Sequence, residues 1–146
     1  MQKLRTEIND LASLLEETFE RTSDMIDLYG CELDTALKNQ LLLQLEWEIV
    51  NKKARKLHSK CELKVDEMYS TAFRNEISNN HKALSTTEAR EYAKTNKDYL
   101  DARLLLIEAT ELKEEASGLL EVIISRKYVL NNLTNAIISS ANKEVL

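Results

Sequence analysis

The stretch ARLLLIEATELKEEASGLLEVIISRKYVLNNLTNAI, Ala102 to Ile137, decides the fold. Alternating steps of three and four from Ala102 give Leu105, Ala109, Leu112, Ala116, Leu119, Ile123, Arg126, Leu130, Leu133 and Ile137, and all of these except Arg126 are apolar. A repeat near 3.5 residues places such side chains on one stripe of an α-helix, and that stripe must be buried against another helix. A partner stripe precedes it. From Ile8 the same rule yields Ala12, Leu15, Phe19, Thr22, Ile26, Tyr29, Leu33, Ala36, Gln40, Leu43, Trp47, Val50, Ala54, Leu57, Cys61, Lys64 and Met68. The expected fold is all-α, with long antiparallel helices packed as a coiled-coil-like helical hairpin. Its packing seam holds Trp47, Val50, Leu57, Leu105, Leu112, Leu119, Ile123, Leu130, Leu133 and Ile137.

Composition supports long helices. The chain has no proline, and of its two glycines each would cost a helix about 1 kcal/mol relative to alanine. Its 146 residues amount to one helical domain, yet two thin helices do not enclose a core by themselves. Leu41, Leu42, Leu45, Ile49, Leu104, Leu106, Ile107, Leu120, Val122, Ile124 and Ile138 flank the seams and widen the apolar face. The missing helices are therefore expected from further copies of the chain, in a homo-oligomer.

The arms are expected to be residues 1–78 and 86–146, joined by a connection at 79–85 that is polar and carries paired asparagines. Ser85-Thr86-Thr87-Glu88 matches a capping box, in which the serine oxygen accepts from a backbone N–H of the new helix and the glutamate reaches back. Thr95-Asn96-Lys97-Asp98 repeats the pattern, so a short helix from Thr86 to Lys94, a corner and then the long helix are expected. Leu28-Tyr29-Gly30 reads either as a bend in the first arm or as the interior of one long helix, since the seam passes through without a change of phase.

The charged N-terminus does not read as a signal peptide, and no run approaches the roughly 18 apolar residues of a membrane span. A soluble protein with no membrane partner is expected. Cys31 and Cys61 are too few for a disulfide framework, which fits a reducing cytoplasm. His58 and Cys61 would share a helix face, but two further zinc ligands are missing, and a core cysteine beside a surface histidine is the expected reading. No phosphate loop is present, and Cys61 holds a packing position rather than that of a catalytic thiolate. No metal, cofactor or enzymatic activity is expected.

Charge carries the functional signal. The chain is at −5, but Asn51 to Lys60 holds Lys52, Lys53, Arg55, Lys56 and Lys60 with no acid, leaving −10 elsewhere. A local basic strip is the footprint of a phosphate contact, where each Lys or Arg releases counterions. It has a second reading. If the arms fold back near residue 82, the acidic run Glu108, Glu111, Glu114, Glu115 and Glu121 lies opposite the strip, and such flanking charges set helix register. Arg126, always charged, must reach the edge of the seam, find a buried carboxylate or meet an anion.

The residues Ser85-Thr86-Thr87-Glu88, Asn96-Lys97-Asp98-Tyr99-Leu100, and Leu120 to Leu133 with its Ile124-Ser125-Arg126-Lys127-Tyr128 core resemble the UvsY-like recombination mediators of tailed phages. About a third of the chain carries the likeness. It implies a small helical protein that assembles into open ring-like oligomers and binds single-stranded DNA without sequence preference. It also implies help for a RecA-type recombinase in replacing a single-strand binding protein. Arg126 and Lys127 match the family's basic pair after the serine; Lys52, Lys53, Arg55 and Lys56 match its basic helix in character. The glycine-rich loop of some members is replaced here by Ser78 to Leu84. The alternative expectation is a coiled-coil scaffold or adaptor, or a phage inhibitor, acting through protein contacts.

Overall fold

A computed structural model describes residues 1–26, 32–79 and 85–145. Within them the chain is all-helical: α1 (Gln2–Met25), α2 (Leu33–Asn79), α3 (Thr86–Ala93) and α4 (Lys97–Val145), with no strand among the described residues. The readings at Leu28-Tyr29-Gly30 and at Cys31 lie outside the described residues, as does most of the 79–85 connection.

Helix boundaries follow local chemistry. Ser85 has extended backbone, φ −64° and ψ 157°, and its hydroxyl accepts from the Glu88 N–H at 3.1 Å, satisfying a donor that the first turn of α3 cannot. At the next corner Asn96 performs this task, its Oδ1 accepting from the Tyr99 N–H at 3.1 Å, so α4 begins at Lys97. Thr95, one residue earlier, instead turns its hydroxyl to the Tyr92 carbonyl at 2.7 Å.

The chain forms two compact units. One comprises Met1–Ala12 and Lys53–Lys113, the other Ser13–Lys52 and Glu114–Leu146. In the first, the buried residues are Ile8 and Leu11 of α1, Ala54, Leu57, Cys61 and Ala72 of α2, Ala89 and Ala93 of α3, and Ala102, Leu105 and Ala109 of α4. Six of these are alanines, and side chains this small let helix backbones approach closely. Tyr69 packs on Phe73 and Tyr99, with the Arg103 guanidinium 5.9 Å from the Tyr99 ring centre.

The second unit has a mixed interior. Leu15, Ala36, Leu43, Trp47, Val50, Ala116, Ile123 and Leu130 are buried together with Thr18, Thr22, Gln40, Asn51 and Arg126. The polar groups are satisfied. Thr18 and Thr22 donate to the carbonyls one turn back, and Thr22 Oγ1 accepts from Trp47 Nε1 at 2.8 Å. Asn51 Nδ2 donates to the Trp47 carbonyl at 2.9 Å and to the Ala116 carbonyl at 2.7 Å, and Gln40 Nε2 donates to the Ile123 carbonyl at 2.7 Å.

Two expectations need correction. Phe19, placed on the first seam by its spacing, is 49% exposed, and Ala12 is exposed as well. The buried phase of α1 is Ile8, Leu11, Leu15, Thr18 and Thr22. A threonine can be buried here because its hydroxyl bonds its own helix, and the Trp47 indole requires the acceptor that Thr22 supplies. The core also draws its third helix from the chain itself: α1 ends at Met25, and its Thr22 and Leu15 share an interior with residues of α2 and α4.

Candidate nucleic-acid interface and the buried arginine

Lys52, Lys53, Arg55 and Lys56 sit on α2, which buries Val50, Ala54, Leu57 and Cys61 on its opposite side. At 100° per residue, Lys52, Lys53, Lys56 and Lys60 fall within about a quarter of the helix circumference, with Arg55 beside them. All five are exposed. The acidic residues do not neutralise the first four: among the described residues no carboxylate oxygen lies within 4.0 Å of a nitrogen of Lys52, Lys53, Arg55 or Lys56.

Lys60 differs, since its Nζ lies 3.1 Å from Glu7 Oε1 of α1. Glu108, expected opposite the strip, pairs with Arg5. Both pairs lie in the first unit, where α1 supplies one member of each. The sequence reading missed this because it treated α1 and α2 as one arm. Glu7 also keeps a buried Oε2 that accepts no hydrogen bond among the described residues. Its charge reaches Cys61, whose thiol is pushed above the ordinary range by burial first and by Glu7 second. That makes Cys61 a poor nucleophile and a poor metal ligand. His58 Nδ1 lies 3.4 Å from Glu62 Oε1 one turn along the same helix.

Arg126, expected from sequence to reach the seam edge, find a buried carboxylate or meet an anion, is buried in the second unit at 6% exposure. Its Nη1 donates to Gln40 Oε1 at 2.9 Å and to the Ala36 carbonyl at 3.5 Å; Nη2 reaches the Met25 carbonyl at 3.3 Å and Nε the Ile26 carbonyl at 3.4 Å. Met25 is the last residue of α1, so the guanidinium supplies donors and positive charge where a helix leaves its carbonyls open. Gln40 completes the arrangement by donating its amide to Ile123 on Arg126's own helix. The sequence pattern showed an arginine on the seam but not this partner, since helix-end carbonyls leave no side-chain signature.

Lys127 is exposed. It lines a groove in the second unit, with a volume of about 550 Å³, together with Leu37, Gln40, Leu41, Gln44, Leu45, Glu48 and Asn131. Of the seam residues, Trp47, Val50, Leu57, Leu105, Ile123 and Leu130 are buried and Leu112 and Leu119 are half-buried. Leu133 and Ile137 stand at 44% and 56% exposure. Leu41, Leu42, Leu45, Ile49, Leu104, Ile107, Val122 and Ile138 are also exposed. No helix among the described residues is long and apolar enough to cross a membrane. Comparison of the chain with family models, curated proteins and solved structures finds no match.

Proposed function

We propose that this chain is a non-enzymatic accessory protein of DNA recombination that assembles with copies of itself and binds single-stranded DNA without sequence preference. In this reading it helps a RecA-type recombinase displace a single-strand binding protein, in a phage-infected host's cytoplasm. The recombination role follows from the resemblance of the α3–α4 motifs to UvsY-like mediators. The DNA contact rests on one observation, the exposed basic face of Lys52, Lys53, Arg55 and Lys56 without carboxylate partners among the described residues. Lys60 adds to it when Glu7 releases it, and Lys127 adds a further exposed charge. Arg126 has no part in the contact, because its guanidinium is engaged inside the chain.

The arrangement proposed is a helical hairpin in which α2 and α4 run antiparallel. Its support is the pairing of Gln40 with Ile123 and of Asn51 with Ala116, numbers rising on one helix as they fall on the other. Self-assembly is supported by the large apolar side chains left exposed in the second unit, Leu41, Leu42, Leu45 and Ile49 of α2 and Val122, Leu133, Ile137 and Ile138 of α4. Several copies place several basic faces on one strand, and the contacts add through effective concentration despite the net charge of −5.

Fluorescence anisotropy with a labelled single-stranded oligonucleotide tests the DNA reading. Four phosphate contacts per copy give a log–log salt slope of about −3, so affinity falls roughly fifty-fold between 50 and 200 mM salt. The quadruple variant Lys52→Glu, Lys53→Glu, Arg55→Glu, Lys56→Glu is expected to lose binding. Absence of binding at low salt, or equal binding by the variant, overturns the proposal. The competing reading, a scaffold, adaptor or phage inhibitor working through protein contacts, draws on the exposed leucines of α2, and those outcomes would favour it.

A further inference from the structure

The exposed faces of α2 and α4 repeat one pattern with opposite charge. On α2, Leu45 precedes Lys52 by seven residues, Lys56 follows Lys52 by four, and Leu63 follows Lys56 by seven. On α4 the same steps of seven, four and seven join Leu104, Glu111, Glu115 and Val122. Such steps keep each set on one narrow stripe of its helix, about 27 Å long at 1.5 Å per residue. Leu45, Leu63, Leu104 and Val122 are 56%, 69%, 57% and 51% exposed, and the four charged residues are exposed as well. Among the described residues, none of Lys52, Lys56, Glu111 and Glu115 enters an ion pair.

Gly118 lies on the α4 stripe, between Glu115 and Val122. Among the described residues, no atom outside its own stretch of helix lies within 4 Å of the position that a Cβ would take there. Packing within the chain thus does not require this glycine, which costs a helix interior about 1 kcal/mol relative to alanine. Its missing side chain permits a helix from outside to approach the α4 backbone closely.

We infer that the α2 stripe of one copy is covered by the α4 stripe of a second copy. The spacing reads the same from either end, so Leu45 and Leu63 meet Leu104 and Val122 while each lysine meets a glutamate. An exposed ion pair contributes little by itself. Between apolar contacts that exclude water, the pairs select the partner and fix register, because a shift along the helix sets a lysine against a leucine. Like faces are excluded: two α2 stripes bring lysine to lysine, and two α4 stripes bring glutamate to glutamate. The contact therefore joins unlike faces. Each copy keeps its other stripe for another neighbour, and association continues beyond a pair.

This inference rests on the self-assembly and DNA readings above and deepens both. Lys52 and Lys56 belong to the proposed DNA face, and their flexible stems let phosphates take them from the glutamates while the apolar contacts hold the copies together. Light scattering on the full chain is expected to give more than twice 16.8 kDa. Lys52→Glu, Lys56→Glu and, separately, Glu111→Lys, Glu115→Lys make the two stripes alike in charge. Each variant, its helicity checked by circular dichroism, is expected to give 16.8 kDa, and an equal mixture of the two is expected to regain the wild-type mass. A monomeric wild type overturns both this interface and the self-assembly reading. A two-copy wild type, a variant that keeps the wild-type mass alone, or a mixture that stays at 16.8 kDa overturns this interface only. Glu111→Gln, Glu115→Gln is expected to bind labelled single-stranded oligonucleotide more tightly than the wild type. Equal affinity rejects the competition for the lysines; binding by neither chain overturns the DNA reading, while the masses still decide the interface.

Discussion

Replacing Arg126 by methionine keeps the apolar stem and removes the guanidinium. Gln40 Oε1 then loses its 2.9 Å charged donor, and the Met25 and Ile26 carbonyls at the end of α1 lose theirs at 3.3 and 3.4 Å. A hydrogen bond to a charged donor contributes about 1.5–3 kcal/mol, and an acceptor left buried without one costs a comparable amount. The Gln40 bond has full strength by its length; the carbonyl contacts are longer and contribute fractions, supplemented by the interaction of the positive charge with the helix end. The expected loss is about 3 kcal/mol, read as a lower urea midpoint at unchanged slope, or as a drop of about 6–12 °C in Tm for a chain of this size. Arg126→Lys is expected to fall between, because one ammonium cannot serve both Gln40 and the end of α1. Oligonucleotide affinity of the folded variant is expected to stay at the wild-type value. A stability loss below about 1 kcal/mol, the range of an exposed seam-edge residue, would refute the buried role. Weakened DNA binding without a stability change would return Arg126 to the phosphate-contact group.

Thr22→Val preserves shape but leaves the buried Trp47 N–H without its 2.8 Å acceptor, so a loss of about 1–3 kcal/mol is expected in denaturant titration. Trp47 is the only tryptophan, and its emission should move to the blue as the hydrogen bond disappears. Cys61 predicts a pH effect of defined sign. Its folded thiol ionises above the unfolded one, so below the unfolded range both states hold the proton and its contribution is complete. As pH rises through that range toward the folded value, the unfolded chain releases its proton first and stability falls. Denaturant titrations at rising pH are expected to show a shallower alkaline decline for Cys31→Ser, Cys61→Ala than for Cys31→Ser alone, and equal slopes would reject the assignment.

The helical character, the start of α3 and the seam of α4 up to Leu130 were legible because each rests on local chemistry: a capping hydroxyl, the absence of proline and a 3.5-residue repeat. The basic strip was legible as charge, but its pairing was not. The acidic run of α4 stood at a suitable distance along the chain, yet Lys60 pairs with Glu7 and Glu108 with Arg5, both through α1. The phase of α1 misled for a related reason. Phe19 outranks Thr18 in apolarity, yet Thr18 is the buried one, its hydroxyl satisfied by the Leu14 carbonyl of its own helix.

By itself the sequence determined an all-helical chain with two apolar seams, one basic window and an arginine among leucines, since periodicity and charge are properties of one helix surface. Only the tertiary structure decided which surfaces meet. A repeat that keeps its phase across residues 27–31 is equally compatible with one long helix or with two, and contacts distant in the chain made α1 a separate third helix. They also placed Arg126 at that helix's end and left Lys52, Lys53, Arg55 and Lys56 facing outward. Side chains satisfied by backbone carbonyls leave no mark in the pattern of residue types, which is why the role of Arg126 emerged only from the fold.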